Sequence, residues 1–555
     1  MKQPNILWIS THDINPDLGC YAGVWPGAEY AVTPNLDRLA AEGARFDKAF
    51  AAAPICAPAR SAIMTGCFPT AIGTMHMRTK AVPPPEVRLL PEYFRAAGYW
   101  TANNVFTDFQ VEVPRTVFDE CSPTAHWRNR PDPDQPFFIA FHGMATHESQ
   151  IYLEAEAFAA ATAHVPEDAR HDPAAAPVPP YYPDTPVFRR AIARYADLVT
   201  EMDHWVGGIL AQLEDDGLAR DTIVVFWSDH GRGMPRAKRW ANEAGLREPL
   251  VVRWPGHIAP GTVVGDLVHT MDLAPTMLAA VGLPVPSHMH GEPFLRADGS
   301  VAARPNEFVF GGRDRQGEAE DTSRTVRDAR YRYIRHFHHD RPAMQHNHYP
   351  DQLTTWEELR TFAFREAEQL GRGEPKSLLT PLQRTLLAPN KPAEELYDVE
   401  ADPHETHNLA GDPAHAAALA RLRGALESWQ SRYGDLGLMD EDALNEGWRP
   451  GGRAHATAPP HVIAALDGLT ASCPTVGSSL VWTVDPPTEP RERTPFEKIA
   501  GIPADDGRRW HLYTEPLRSG SVPGGSEAVW FQAWRLGFEP SPEVTASFPM
   551  ARSDR

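Results

Sequence analysis

The chain of 555 residues is long enough for a large catalytic unit with further domains. A net charge of −20 excludes a surface built for nucleic acid or an anionic membrane, although a few local cations still suffice to seat an anionic substrate. Five cysteines (Cys20, Cys56, Cys67, Cys121 and Cys473) without framework spacing exclude a disulfide scaffold, and the absence of a leader or long apolar run reads as a cytoplasmic protein with no membrane partner.

Residues 5–10 are a short apolar run that ends in Thr11-His12-Asp13. This predicts a buried parallel strand whose C-terminal end carries polar groups into the ligand crevice of an open α/β sheet. Residues 33–43 predict an amphipathic helix, with Thr33 at the N-cap, Pro34 in the first turn and Gly43 at the end. Residues 46–50 then lead as a strand into Cys56-x-Pro58-x-Arg60, followed by Thr65-Gly66. Taken alone, Cys56 would be a packed thiol at a helix start. Residues 89–98 predict a helix and 100–105 a strand that ends at Phe106-Thr107-Asp108. The strand 135–141 is followed by His142 and by Thr146-His147-Glu148, and histidines at a strand end are ligand or acid/base candidates.

Residues 163–186 read as a surface excursion. Apolar residues at intervals of three and four make 190–214 a long helix. The β-branched strand 222–227 exits into Ser228-Asp229-His230-Gly231, with Arg236, Lys238 and Arg239 shortly after, and 249–256 gives another strand and turn. From residue 308 short strands follow, then a helix over 413–433. The histidines His336, His338, His339, His346 and His348 are spaced irregularly, as in a solvated or pocket-rim loop rather than a metal site. Residues 436–460 read as a Gly/Pro/Ala-rich linker, and alternating runs at 479–484, 509–513, 529–535 and 544–548 predict a small β-sandwich. The expected domains are 1–435, with a smaller subdomain at about 305–435, and 461–555.

Several stretches together resemble the sulfatase family of the alkaline phosphatase superfamily. They are Cys56-x-Pro58-x-Arg60, the words TPNLDRLAAEG from Thr33, Gly98-Tyr-Trp-Thr-Ala102, Ser228-Asp-His-Gly231 and Asp272-Leu-Ala-Pro-Thr276. The resemblance implies an α/β fold: an alkaline-phosphatase-like mixed sheet sandwiched by helices, a small antiparallel C-terminal subdomain and here a C-terminal β-sandwich. That last part resembles the immunoglobulin-like domain of some glycosidases.

The resemblance also implies that a formylglycine-generating enzyme converts Cys56 to formylglycine, whose hydrate is the nucleophile. It implies one divalent metal on Asp13, Asp229, His230 and the residue at 56. Ca2+ is the family's ion, and Mn2+ is the alternative because His230 stands where asparagine is usual. Arg60 would hold the diol, Lys238 the sulfate, and His147 would protonate the leaving oxygen. Thr107, Asp108 and His142 are the remaining polar candidates for substrate contact. The chain departs from the family at Ala59 (serine), His12 (aspartate), Phe106 (lysine) and Asp108 (histidine). The expected function is hydrolysis of small-molecule sulfate esters by a homo-oligomeric enzyme, with aryl sulfates as assay substrates. The alternative is a phosphonate monoester or phosphodiester hydrolase, and a non-catalytic binding protein ranks third.

Overall fold

An eight-stranded mixed sheet carries the polar strand ends in the computed structural model, which describes residues 3–302, 306–465, 468–499, 501–518, 520, 522 and 528–549. Its strands are β1 (Asn5–Thr11), β2 (Ala44–Phe50), β3 (Trp100–Asn104), β4 (Glu120–Cys121), β5 (Phe137–His142), β6 (Thr222–Ser228), β7 (Arg247–Arg253) and β8 (Thr262–His269). Their spatial order is β4-β3-β5-β1-β6-β7-β2-β8. β1 lies between β5 and β6 and is parallel to both, so Ser10 is level with His142 and Trp227, and Thr11 with Ser228. That register brings three polar strand ends together at the C-terminal end of the central parallel strands. β7 runs antiparallel to β6 and β2, which makes the sheet mixed.

The central strands are buried on both faces, and the two-residue period divides their side chains between two cores. In β1, Leu7 and Ile9 enter one core while Ile6 and Trp8 enter the other. The first core is covered by the helices Pro34–Glu42 and Pro186–Asp215, the second by Leu90–Ala96, Cys56–Thr65 and Leu273–Ala280. Thr33 does not cap its helix as expected. Its hydroxyl accepts from Gly19 N and donates to Asp37 instead.

A second, antiparallel sheet follows: β9 (Val309–Arg313), β10 (Ser323–Arg327), β11 (Tyr331–His336) and β12 (Glu394–Asp398), in the order β12-β11-β10-β9. Leu422, Leu426 and Trp429 of the helix Ala416–Tyr433 pack on it. The C-terminal region holds the hairpin β13 (His461–Ala465) and β14 (Gly468–Ser472), and a four-stranded sheet of β15 (Ser479–Thr483), β16 (His511–Leu512), β17 (Ala528–Trp534) and β18 (Val544–Ser547). Leu469 and Ala471 of the hairpin share one core with Trp482, Val529 and Phe531 of the sheet.

The stretch 436–460, expected as a linker, contains the helix Glu441–Trp448, capped by the Asp440 carboxylate on Ala443 N. Glu441 pairs with Arg315, and the Trp448 ring lies where a side chain on Gly73 would stand, 2.5 Å from its Cβ position. The C-terminal sheet is docked rather than tethered. Arg115 pairs with Asp506 at 2.7 Å, Ser479 Oγ donates to Glu92 at 2.5 Å, Arg535 donates to Pro83 O at 2.8 Å, and Arg95 reaches Trp510 O.

Candidate active site

Cys56 opens the helix that follows β2, and all ten residues of that helix are buried. Arg60 lies one turn further along, on the same face as Cys56. Its guanidinium is fully buried and therefore needs a carboxylate and further acceptors. Nε donates to Asp229 Oδ2 at 3.0 Å, Nη2 donates to Thr11 O at 3.4 Å, and Nη1 is 3.2 Å from His142 Nδ1.

Asp13 leaves the end of β1 in a left-handed conformation, φ 53°. Its Oδ2 accepts from Lys238 Nζ at 2.7 Å and from Glu148 N at 2.8 Å, and its Oδ1 is 3.3 Å from His230 Nε2. The Asp13 amide donates to Asp229 Oδ1 at 3.1 Å, which ties the ends of β1 and β6 together. Burial would raise both carboxyls, but neighbouring cations outweigh it. Lys238 and His230 hold Asp13 below the usual range, and His230 and Arg60 hold Asp229 well below it. Cys56 Sγ is 3.2 Å from His230 Nε2 and 4.0 Å from Asp13 Oδ1. Burial pushes its thiol well up, so it is protonated and a poor nucleophile as cysteine.

Asp13, Asp229 and His230, expected as metal ligands, thus converge beside Cys56. Among the described residues, ligand atoms of His12, Asp13, Cys56 and Asp229 lie within 4.8 Å of one another, and those of Asp13, His147 and Glu148 form a second such group. Carboxylate oxygens with imidazole nitrogens suit a divalent cation. His12 is also 3.4 Å from Asp229, and burial and Arg60 lower its pKa to about 4, so it offers a neutral ring. The histidines of 336–348 enter neither group. His336 bonds Ser323 and His346 bonds Asp351.

Other expected contacts are placed differently. His142, expected to touch substrate, is 4% exposed beneath the site, between Ser10 Oγ at 2.5 Å, Asn103 Oδ1 at 2.9 Å and Arg60. It orients Arg60. Thr107 is 2% exposed and donates to Gly501 O at 3.1 Å, against the C-terminal region. Asp108 stays near the site. Burial raises its carboxyl against the pull of Arg60 and Arg78. His147 is edge-on to His12 with centroids 5.6 Å apart, and burial and Lys238 lower its pKa.

The pairing of Glu148 with Arg239 and Lys238 escaped the sequence reading. Glu148 takes two bonds from Arg239, at 2.8 and 2.7 Å, and pairs with Lys238 at 2.9 Å. Lys238 therefore sits between two carboxylates. The signals were adjacent in sequence, Glu148 beside His147 and Arg239 beside Lys238, but pairing across 91 residues is tertiary information. Phe106, expected where sulfatases carry a lysine, places its ring 4.9 Å from His12 and 5.4 Å from the Arg60 guanidinium carbon.

The sequence model of the Sulfatase family matches residues 4–283, and that of the N-sulphoglucosamine sulphohydrolase C-terminal region matches 235–350. An ulvan-active sulfatase of Formosa agariphila is 33% identical over 98% of this chain and 91% of its own. Among solved structures, a protein in complex with its substrate D-glucosamine-2-N,6-O-disulfate superposes with a TM-score of 0.56 at 18% identity, covering 79% of this chain and 100% of that one. A phosphonate monoester hydrolase from Silicibacter pomeroyi gives 0.55 at 20% identity, covering 79% and 97%. At these identities the two structures speak for the fold alone.

Proposed function

The chain belongs to the sulfatase family and is a sulfuric ester hydrolase, and from that premise we propose that it removes sulfate from a polysaccharide through a formylglycine made from Cys56 and one divalent metal. The relative that matches along nearly the whole chain is named for ulvan, so a sulfated glycan replaces the aryl sulfate expected from the sequence. For the phosphonate alternative, expected from His230 and the missing lysine, the comparisons add only a shared fold. The observation that carries the mechanism is the placement of Cys56 Sγ, 3.2 Å from His230 and 4.0 Å from Asp13, with Arg60 one turn behind it.

Asp13, Asp229 and the buried His12, whose ligand atoms gather with that of residue 56, would hold the metal, with His230 beside them 3.3 Å from Asp13. Bound there, it supplies positive charge that makes a neighbouring hydroxyl more acidic and orients it. Formylglycine supplies a hydroxyl nucleophile where the buried thiol is inert. The protein's own residues do the rest. Arg60 is fixed by Asp229 and His142 and keeps the head of the Cys56 helix at the sheet edge. Lys238, raised well above its usual pKa because Asp13 outweighs burial, is a permanent cation for a sulfuryl oxygen. His147 is neutral in the free site. An anionic substrate favours its protonation, after which it can give that proton to the leaving oxygen. The Phe106 ring stands 5.4 Å from the Arg60 guanidinium carbon and adds apolar surface beside it.

The test is the mass of the peptide containing position 56, together with sulfate release from ulvan oligosaccharides. We expect a thiol-to-aldehyde mass change in active protein, and Cys56→Ala to be inactive with an unchanged thermal melt. An active enzyme with an intact thiol at Cys56 would refute the mechanism.

A further inference from the structure

Beside the reaction centre lies a cavity of about 330 Å³ lined by parts of the chain far apart in sequence. Residues 78–81 and 107–112 form one wall. Arg449, Lys498, Gly501 and residues 537–539 form the other. Thr107 and Asp108 belong to it, and Asp108 is also in the field of Arg60 and of Cys56, so the cavity adjoins the candidate site.

Four cations line this cavity in a chain of net charge −20: Arg78, Lys80, Arg449 and Lys498. The acids present are Asp108, whose charged form burial disfavours, and the exposed Glu112 and Glu539. Among the described residues, the side chains of Arg78 and Lys80 have no hydrogen-bond or ion-pair partner, and both are exposed. Their loop is nevertheless held in place. Arg78 takes a left-handed φ of 58°, its amide donates to Gln110 Oε1 at 2.7 Å, and Gln110 Nε2 donates to Thr74 O at 3.1 Å. Arg449 is anchored by donating to Lys80 O at 3.1 Å and to Gly537 O at 3.4 Å. Lys498 stands across the cavity, with Glu492 at 3.1 Å.

Unpaired cations on an ordered loop, beside a sulfate-ester site, create a positive potential that draws a second, negatively charged substituent of the same glycan. We propose that this cavity is a subsite for a second anionic group, sulfate or carboxylate, on a sugar next to the one that is desulfated. The inference rests on the polysaccharide reading above and adds that the preferred substrate carries at least two charges. The subsite is built jointly by the catalytic sheet's loops and the C-terminal region, so Arg78 and Lys80 are specificity residues rather than catalytic ones.

The test uses the full chain with Arg78→Ala/Lys80→Ala, and Lys376→Ala as a control for lost surface charge at an exposed, remote position. Turnover of an ulvan tetrasaccharide and of p-nitrophenyl sulfate is followed at low and high salt. Binding of the tetrasaccharide is also measured by calorimetry in the Cys56→Ala background. The double variant should lose about tenfold or more in kcat/KM on the tetrasaccharide, mostly in KM, with a flatter salt dependence. p-Nitrophenyl sulfate should change far less. Equal losses on both substrates, a loss matched by Lys376→Ala, or unchanged tetrasaccharide binding would overturn the subsite. Binding lost in the double variant while the wild type releases no sulfate would uphold the subsite and refute the substrate reading of the reaction. Comparing tetrasaccharides that keep only sulfate or only carboxylate on the neighbouring sugar tells which group it takes.

Discussion

Lys238 and Glu148 show how much charge one small volume can hold when every member has a partner. Lys238 lies between Asp13 and Glu148, and Glu148 is shared with Arg239. Glu148→Gln would leave two buried cations facing a neutral amide. Breaking such a pair costs about 3–5 kcal/mol, so we expect a clear fall in the chemical denaturation midpoint together with lost turnover. The ligand assignment is tested by Asp229→Ala, which removes a carboxylate that also fixes Arg60. Metal content measured by plasma emission should drop with activity. Full occupancy in that variant would show that the ion, if present, is held elsewhere. Wild-type enzyme treated with a chelator should lose activity and recover it with added divalent cation. The convergence of Asp13, Cys56, Arg60, Asp229 and His230 was legible from sequence because each sits in a short motif at a strand exit or helix start, where local order fixes direction. His142 was expected as a substrate contact for the same reason. It is at a strand end, but its ring turns inward because Ser10, Asn103 and Arg60 all offer partners there.

At the scale of elements, the sheet was largely readable, since strands buried on both faces are continuous apolar runs and the long helix has an unbroken three-and-four spacing. The helix at Glu441–Trp448 was not. Its composition is that of a linker, and what orders it is Asp440 at the cap, Arg315 and the open face of Gly73. The contact of Gly501 with Thr107 was equally hidden. Gly501 has φ 71°, and a Cβ there would stand 2.3 Å from Thr107 Oγ1. Gly501→Ala adds a left-handed penalty of about 1–2 kcal/mol and pushes the two segments apart. We expect a higher KM on a sulfated oligosaccharide with little change in metal content. An unaltered KM would mean that this contact does not shape the pocket.

For the whole molecule, the docked C-terminal region changes what a truncation should do. Read as sequence, a chain ending near Asp435 promised intact chemistry, because every proposed reacting group lies before residue 240. In the fold, that cut removes Glu441 from Arg315, Trp448 from Gly73, Asp506 from Arg115 and Ile502 from Phe106. We therefore expect the truncated protein to melt at lower temperature, to self-associate in size-exclusion chromatography, and to lose oligosaccharide turnover more severely than that of p-nitrophenyl sulfate. Equal retention of both activities would show that the docked sheet is dispensable. The bond from Thr107 to Gly501 also spans 394 residues. At ribosomal speed that separation is roughly 20–80 s of synthesis. From the completion of β8 at His269 onward, the nascent catalytic sheet is present without the segment that closes its wall. The rate at which selective enzyme appears in a cell is thus tied to elongation over the last fifth of the message, and pausing there would prolong the life of a half-walled intermediate with Phe106 uncovered.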